Sequence, residues 1–237
     1  MHSLMTPESL IAFFTLVALE LVLGIDNIIF ISILCSKLPV NQQARVRTIG
    51  LSIAVISRIL LLFSLSWVIG LVDPLFTIFS QEISGRDLIL IGGGLFLIGK
   101  STHEIHNKVE ASEEDVATSR KASVLSVIIQ IMLLDIIFSL DSVITAVGMV
   151  DNLIIMIAAV LVATFFMIFT AGPISNFVEH HPTIKILALS FLLLIGITLV
   201  AEGLDQHFSK SYIYFAMAFS TCIEMLNIRA RSRAKSH

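Results

Sequence analysis

Charge is scarce in this chain: only 14% of its 237 residues are Asp, Glu, Lys or Arg, against about 25% in ordinary soluble domains. Hydrophobic residues make up 56% and the mean hydropathy is +0.95, which excludes a water-soluble globular fold. There are only two cysteines, Cys35 and Cys222, both in apolar segments. They are expected to be small core residues rather than a disulfide. Residues 1–9 contain no Lys or Arg, so no cleavable signal is expected, and the apolar run to about Cys35 reads as a first span. Nothing resembles an ATP-binding loop, which argues against primary transport by this chain alone. No polar stretch is long enough for a soluble domain.

Long apolar runs fill the rest. A spanning helix needs about 20 mostly apolar residues, and seven segments meet or approach this: 9–36, 46–71, 87–107, 123–149, 153–178, 184–204 and 211–228. The third and seventh are weakest, because they carry Lys100 and Glu224. The connection 100–122 is polar and lacks hydrophobic periodicity, so it reads as a loop. Positive charge is distributed unequally: one side of the membrane would hold only Arg86 and Lys210, the other twelve Lys and Arg, with Arg58 alone inside a span. By the positive-inside rule the N-terminus is outside and the C-terminus cytoplasmic. The expected location is a cell membrane, crossed several times. The basic cluster Arg229–Lys235 reads as an anchor beside anionic lipid and is too short to suggest nucleic-acid binding.

The chain is organised around two acidic stretches. Glu20-Leu-Val-Leu-Gly-Ile-Asp26-Asn27 lies in the first span and Asp135-Ile-Ile-Phe-Ser-Leu-Asp141-Ser142 in the fourth, offset by 115 residues. A carboxylate at membrane depth costs about 2.5–3.5 kcal/mol on insertion scales, so four of them require compensation. Three spans separate the copies, so the two halves would enter the membrane from opposite sides, the inverted-repeat plan of many secondary transporters. The expected fold is therefore an all-α polytopic membrane protein with seven transmembrane helices, an inverted 3+3 repeat plus one additional helix. Its parts are a first three-helix repeat over 1–107, a cytoplasmic linker loop over 108–122, a second repeat over 123–204, and the seventh helix with a basic tail over 205–237. The repeat thins away from the acids; Arg58 falls opposite Pro173.

On a continuous helix, residues six apart point about 120° apart and sit about 9 Å apart along the axis. Glu20 then aligns with Asn27, and Asp135 with Ser142. Local unwinding at Gly24, or at the equivalent Ser139, would bring all the acids to one face and free carbonyls as ligands. Face-to-face packing of the two helices would gather them without any break. Four carboxylates, an amide and a hydroxyl form an all-oxygen set suited to Mg²⁺, Ca²⁺ or Mn²⁺. No His lies in either span, which disfavours zinc and copper.

Glu-x5-Asp-Asn, Asp-x5-Asp-Ser and seven spans resemble the TerC family of integral membrane proteins, in its stand-alone bacterial branch without CBS domains. The resemblance covers nearly the whole chain. It implies that Glu20, Asp26, Asn27, Asp135, Asp141 and Ser142 are the metal-site positions and that the cargo is Mn²⁺ leaving the cell; apart from the resemblance, Arg58 and Lys100 are expected as supporting charges. A tellurite anion, despite the family's name, has no evident place among four carboxylates.

Each feature also has a plainer reading. The acids could be polar contacts between helices, although that leaves their repetition unexplained. Arg58 could pair statically with one acid or stand in the empty site as a counter-charge. Lys100 and Glu104 are four apart, the spacing of a surface-proximal ion pair. His103 and His106 are three apart, where a zinc-protease helix needs four, and a weak metal-collecting patch with Glu110, Glu113, Glu114 and Asp115 is less favoured than a solvated loop. Gly92–Gly94 should let the third helix pack closely, and Gly172-Pro173 should kink the fifth.

The expected function is a non-enzymatic secondary transporter exporting a divalent cation, with proton antiport as a reasonable coupling because several carboxylates cannot all stay ionised once the metal leaves. No cofactor is held permanently; Mn²⁺, or Ca²⁺ or Mg²⁺, is the transported ion. The partners are that ion and the bilayer, with no nucleic acid and homo-oligomerisation left open. The alternative is an accessory membrane protein assisting metal loading or assembly of exported proteins. An exporter of small organic molecules would want an apolar pocket with one or two polar anchors, which four acids suit poorly.

Overall fold

The computed structural model describes residues 7–64, 69–78, 81–110, 123–150, 152–206 and 209–234. The described helices are α1 (Pro7–Cys35), α2 (Val40–Phe63), α3 (Gly85–Val109), α4 (Val124–Met149), α5 (Leu153–His180), α6 (Pro182–Glu202) and α7 (Lys210–Ala234). Between α2 and α3 runs an antiparallel hairpin of β1 (Pro74–Ile78) and β2 (Gln81–Ser84). Helices dominate because in hydrocarbon every backbone N–H and C=O must find its partner within its own segment.

Among the described residues, six helices, α1 to α6, are long and apolar enough to cross a membrane. The expected seventh span does not reach that standard. Although α7 is 25 residues long, Glu224, Asn227 and the arginines from Arg229 onward dilute its apolar run. The second span also differs from expectation. It ends at Phe63 rather than 71 and begins at Val40 rather than 46, because Asn41, Gln42, Gln43 and Arg45 extend its start as a polar entry, exposed except for the half-buried Gln43. Gln and Arg are good helix formers, so the helix starts before the apolar stretch does. Beyond its end, the Ser64 N–H bonds back to the Leu60 carbonyl. The hairpin then occupies part of what the sequence presents as a plain connection. Its junction with α3 is a reciprocal cap: Ser84 Oγ accepts from the Asp87 N–H at 3.2 Å, and Asp87 Oδ2 accepts from the Ser84 N–H at 2.9 Å.

The helices fall into two compact units. One contains α1, α2, the hairpin, the start of α3, α4 and nearly all of α5; the other contains the rest of α3, α6, α7 and the last residues of α5. In the first unit, α2 and α4 make the most extensive helix contact. Gly50 permits it, since a Cβ there would stand 2.8 Å from Ile131 Cδ1. The core joins Leu16 of α1, Leu62 of α2, Leu140 and Val143 of α4, and Met156 and Val160 of α5. In the second unit, α3 meets α6 backbone to backbone: a Cβ on Gly94 would lie 2.6 Å from the Gly196 carbonyl oxygen. Of the Gly92–Gly94 run, Gly94 is a close-packing position, whereas nothing lies within 4 Å of a Cβ at Gly92. Pro173 sits inside α5, which continues through it to His180. Large apolar side chains such as Phe14, Leu60, Phe165 and Phe169 are exposed, as lipid-facing positions should be.

Neither cysteine forms a disulfide, in accord with expectation; Cys35 is a core residue, whereas Cys222 is exposed.

Candidate ion site at the paired acidic motifs

The first unit brings the two acidic stretches together. Both carrying helices run unbroken through the motif, so packing, without unwinding at Gly24 or Ser139, brings Glu20 and Asp135 together. Glu20 and Asp135, the leading acid of each copy, are 6% and 5% exposed. They meet on Arg58 of α2, itself 4% exposed.

Every nitrogen of that guanidinium is engaged. Nη1 donates to Glu20 Oε2, Nη2 to Asp135 Oδ1 at 3.1 Å, and Nε to Ser139 Oγ at 2.9 Å. The fork geometry suits this, since arginine presents fixed donors to several oxygens at once and stays charged. Asp135 is held from a second side: the hydroxyl of Ser57, the residue before Arg58, lies 2.6 Å from Oδ2. Ser142 Oγ donates to the Ser139 carbonyl at 3.2 Å and lies near the Glu20 carboxylate. The result is a buried network of two anions, one cation and three hydroxyls. Removing one member of such a network leaves a charge uncompensated, at a cost of about 3–5 kcal/mol.

Two recesses flank the network. One is lined by Leu16, Glu20, Leu62, Val143, Ala146 and Met156 among others. The second is lined by Asn27, Ile31, Leu51, Arg58, Asp135, Thr164 and Met167 among others. Along each of α1, α2, α4 and α5, the residues lining the first recess lie toward one end and those lining the second toward the other. The ionic cluster therefore sits between them in depth.

Of the expected site residues, Glu20, Asp135 and Ser142 are brought together around Arg58. Asn27 is half-buried and faces the second recess. The side chains of Asp26 and Asp141 lie outside the described residues, as does the segment 111–122 with Glu113, Glu114 and Asp115. Among the described residues no group of three or more His, Cys, Asp and Glu side chains could hold a metal ion. Arg58 bridges acids from two helices, more than pairing with one. Lys100 lies in the other unit and pairs with Glu104 at 3.0 Å, the expected spacing, with Glu104 buried and the Lys100 side chain 20% exposed. His106 pairs with Glu110 and His103 contacts Asn107, both at 3.1 Å.

Sequence reasoning missed Ser57, Thr164 and Met167. A hydroxyl adjoining the lone mid-span arginine was a usable signal for Ser57. Thr164 is a buried polar residue in an otherwise apolar run. Met167 is placed by a contact no sequence pattern gives: its sulfur lies 2.1 Å from where a Cβ on Gly24 would stand.

Known proteins similar to this chain extend over its length. The integral membrane protein TerC family matches residues 5–237. A UPF0053 protein of Haemophilus influenzae is 57% identical over 230 residues, covering 97% of each chain. The UPF0053 inner membrane protein YgdQ of Escherichia coli is 58% identical over 222 residues, covering 94% of this chain and 93% of its own. YoaE of the same organism, also named a UPF0053 inner membrane protein, is 48% identical over 238 residues that form 46% of its length. No solved structure matches.

Proposed function

The chain belongs to the integral membrane protein TerC family, and from that premise we propose that it is a secondary transporter exporting a divalent cation, Mn²⁺, from the cytoplasm. The carrying observation is the meeting of Glu20 and Asp135, equivalent positions of the two motif copies, in one buried cluster between two recesses. Carboxylates so placed demand a cation, and a divalent ion among oxygen ligands satisfies them. The ligand set of this reading is Glu20, Asp26, Asn27, Asp135, Asp141 and Ser142. Each compact unit also draws the same-ranked helices from both halves of the chain, α1 and α2 with α4 and α5, and α3 with α6, which favours an inverted repeat.

The relatives named inner membrane proteins support placement in the bacterial inner membrane, and the distribution of Lys and Arg supports an external N-terminus and cytoplasmic C-terminus. With that orientation a C-terminal green fluorescent protein fusion fluoresces and a C-terminal alkaline phosphatase fusion is inactive; the reverse result would invert the topology. Proton exchange is one way to balance the acids when metal leaves, and a guanidinium already bound to two of them is another.

The test is Mn²⁺ flux in proteoliposomes holding the purified full chain, compared with Asp26→Asn, Asp135→Asn and Asp141→Asn. Saturable flux lost in all three variants supports the reading. A folded wild-type protein passing none of Mn²⁺, Ca²⁺ or Mg²⁺ would refute it in favour of an accessory role in metal loading or assembly.

A further inference from the structure

Arg58 is the charged group of the acidic cluster that no metal-ligand role absorbs. Its guanidinium occupies the place between Glu20 and Asp135, and a third bond to Ser139 Oγ at 2.9 Å fixes its plane. Among the described residues, the charged groups facing it are Glu20 from α1 and Asp135 from α4, and α5 brings Thr164 and Met167 to the neighbouring recess. Both Asp135 oxygens are committed, one to Arg58 and one to Ser57. The guanidinium therefore competes with a divalent ion for these carboxylates. In this position Arg58 also stands in the ionic layer that divides the two recesses.

We propose that Arg58 is the resident counter-cation of the empty carrier, exchanging places with the transported divalent ion at Glu20 and Asp135. When metal arrives, Arg58 withdraws from the carboxylates; when metal leaves, Arg58 returns and the empty protein resets. An arginine keeps its charge at every physiological pH, so the reset needs no proton. The single charge of the guanidinium offsets one of the two carboxylates, and the Ser57 hydroxyl hydrogen-bonds Asp135. This inference rests on the transporter reading and specifies how its return step is completed.

Two consequences separate Arg58 from a static brace. The first needs no variant: the wild-type cycle moves the charge of the metal without counter-moving protons, so a potassium diffusion potential drives Mn²⁺ flux at equal internal and external pH. An internal pH dye stays silent while it does so. The second uses Arg58→Gln, which should retain exchange of labelled for unlabelled Mn²⁺ across the vesicle, where the site is never empty while it reorients. Net flux should fall about ten-fold or more, since the empty state has lost its cation. Arg58→Lys, which keeps the charge but loses the fork, should recover part of the net flux.

Mn²⁺ flux that requires a pH gradient and carries protons overturns the proposal. So does a folded Arg58→Gln protein that keeps both exchange and net flux, or loses both alike. If Arg58→Gln does not fold, the wild-type voltage and dye measurements decide alone. Failure confined to these readouts, with saturable wild-type flux, refutes the counter-cation and leaves the transporter. Absence of both flux and exchange in wild type refutes the transporter and this inference with it.

Discussion

Truncating Asp135 should destabilise the protein, and removing the whole ionic triad should not. Asp135→Ala deprives Arg58 of its 3.1 Å partner and Ser57 of its 2.6 Å partner in a site where both ions are about 5% exposed. Breaking one side of such a buried pair costs about 3–5 kcal/mol. For a chain of this size each kcal/mol moves Tm by about 2–4 °C, so a fall of roughly 6–20 °C is expected. The combined Glu20→Leu, Arg58→Met, Asp135→Leu variant fills similar volume without any charge to desolvate. By the same reasoning it should unfold near the wild-type temperature, or above it by as much as about 4 kcal/mol of added stability. It should transport nothing.

The assay is thermal unfolding in detergent, followed with a thiol-reactive fluorophore. Cys35 is 1% exposed and reports unfolding, while Cys222→Ser removes the thiol that is already exposed. An Asp135→Ala protein that melts within about 2 °C of wild type would refute the reasoning, since the network would then carry less than about 1 kcal/mol. A triple variant as unstable as the single one would refute it differently, by showing that the triad holds the fold together.

Further substitutions probe the packing. Gly94→Leu forces a side chain onto the Gly196 carbonyl, 2.6 Å from its own Cβ, and should cost about 1–3 kcal/mol in the same assay; Gly92→Leu, with nothing within 4 Å of a Cβ, should leave Tm unchanged. Gly24→Ala collides with the Met167 sulfur and should lower Tm, with recovery when Met167→Ala is added; failure of that recovery would mean the clash lies elsewhere. Lys100→Met strips Glu104 of its 3.0 Å partner. It should lower Tm less than Asp135→Ala does, because the Lys100 side chain is 20% exposed and its charge is partly screened.

The membrane-spanning architecture was legible because hydrocarbon permits few solutions: an apolar run of sufficient length becomes a helix almost regardless of its detail. The meeting of the two acidic helices was legible for a related reason, since buried carboxylates at matched spacing must be compensated in common. Arg58 stood out as the lone charged residue between Arg47 and Asp73, yet its partners did not. Glu20, Asp135 and Ser139 lie 38, 77 and 81 residues away, and the repeat offset maps Arg58 onto Pro173, so symmetry offers no counterpart. The start of α2 was misplaced because polarity was read as loop where Gln and Arg extend a helix. The hairpin was missed because strands of five and four residues are too short to display alternation. The seventh helix forms at the expected place, but Glu224, Asn227 and the arginines beyond them leave it less apolar than the six before it.

Asp135 begins any binding reaction with both oxygens occupied by its own protein, and this changes what an affinity measurement reports. The observed dissociation constant is the intrinsic one divided by the fraction of molecules whose carboxylates are vacant. Were Arg58 withdrawn in about one molecule in a hundred, metal would seem to bind about a hundred-fold more weakly than the ligands allow, a difference of about 2.7 kcal/mol. A weak titration of the resting protein is thus compatible with strong ligands. A substitution that loosens Arg58 should tighten equilibrium binding, even where turnover suffers.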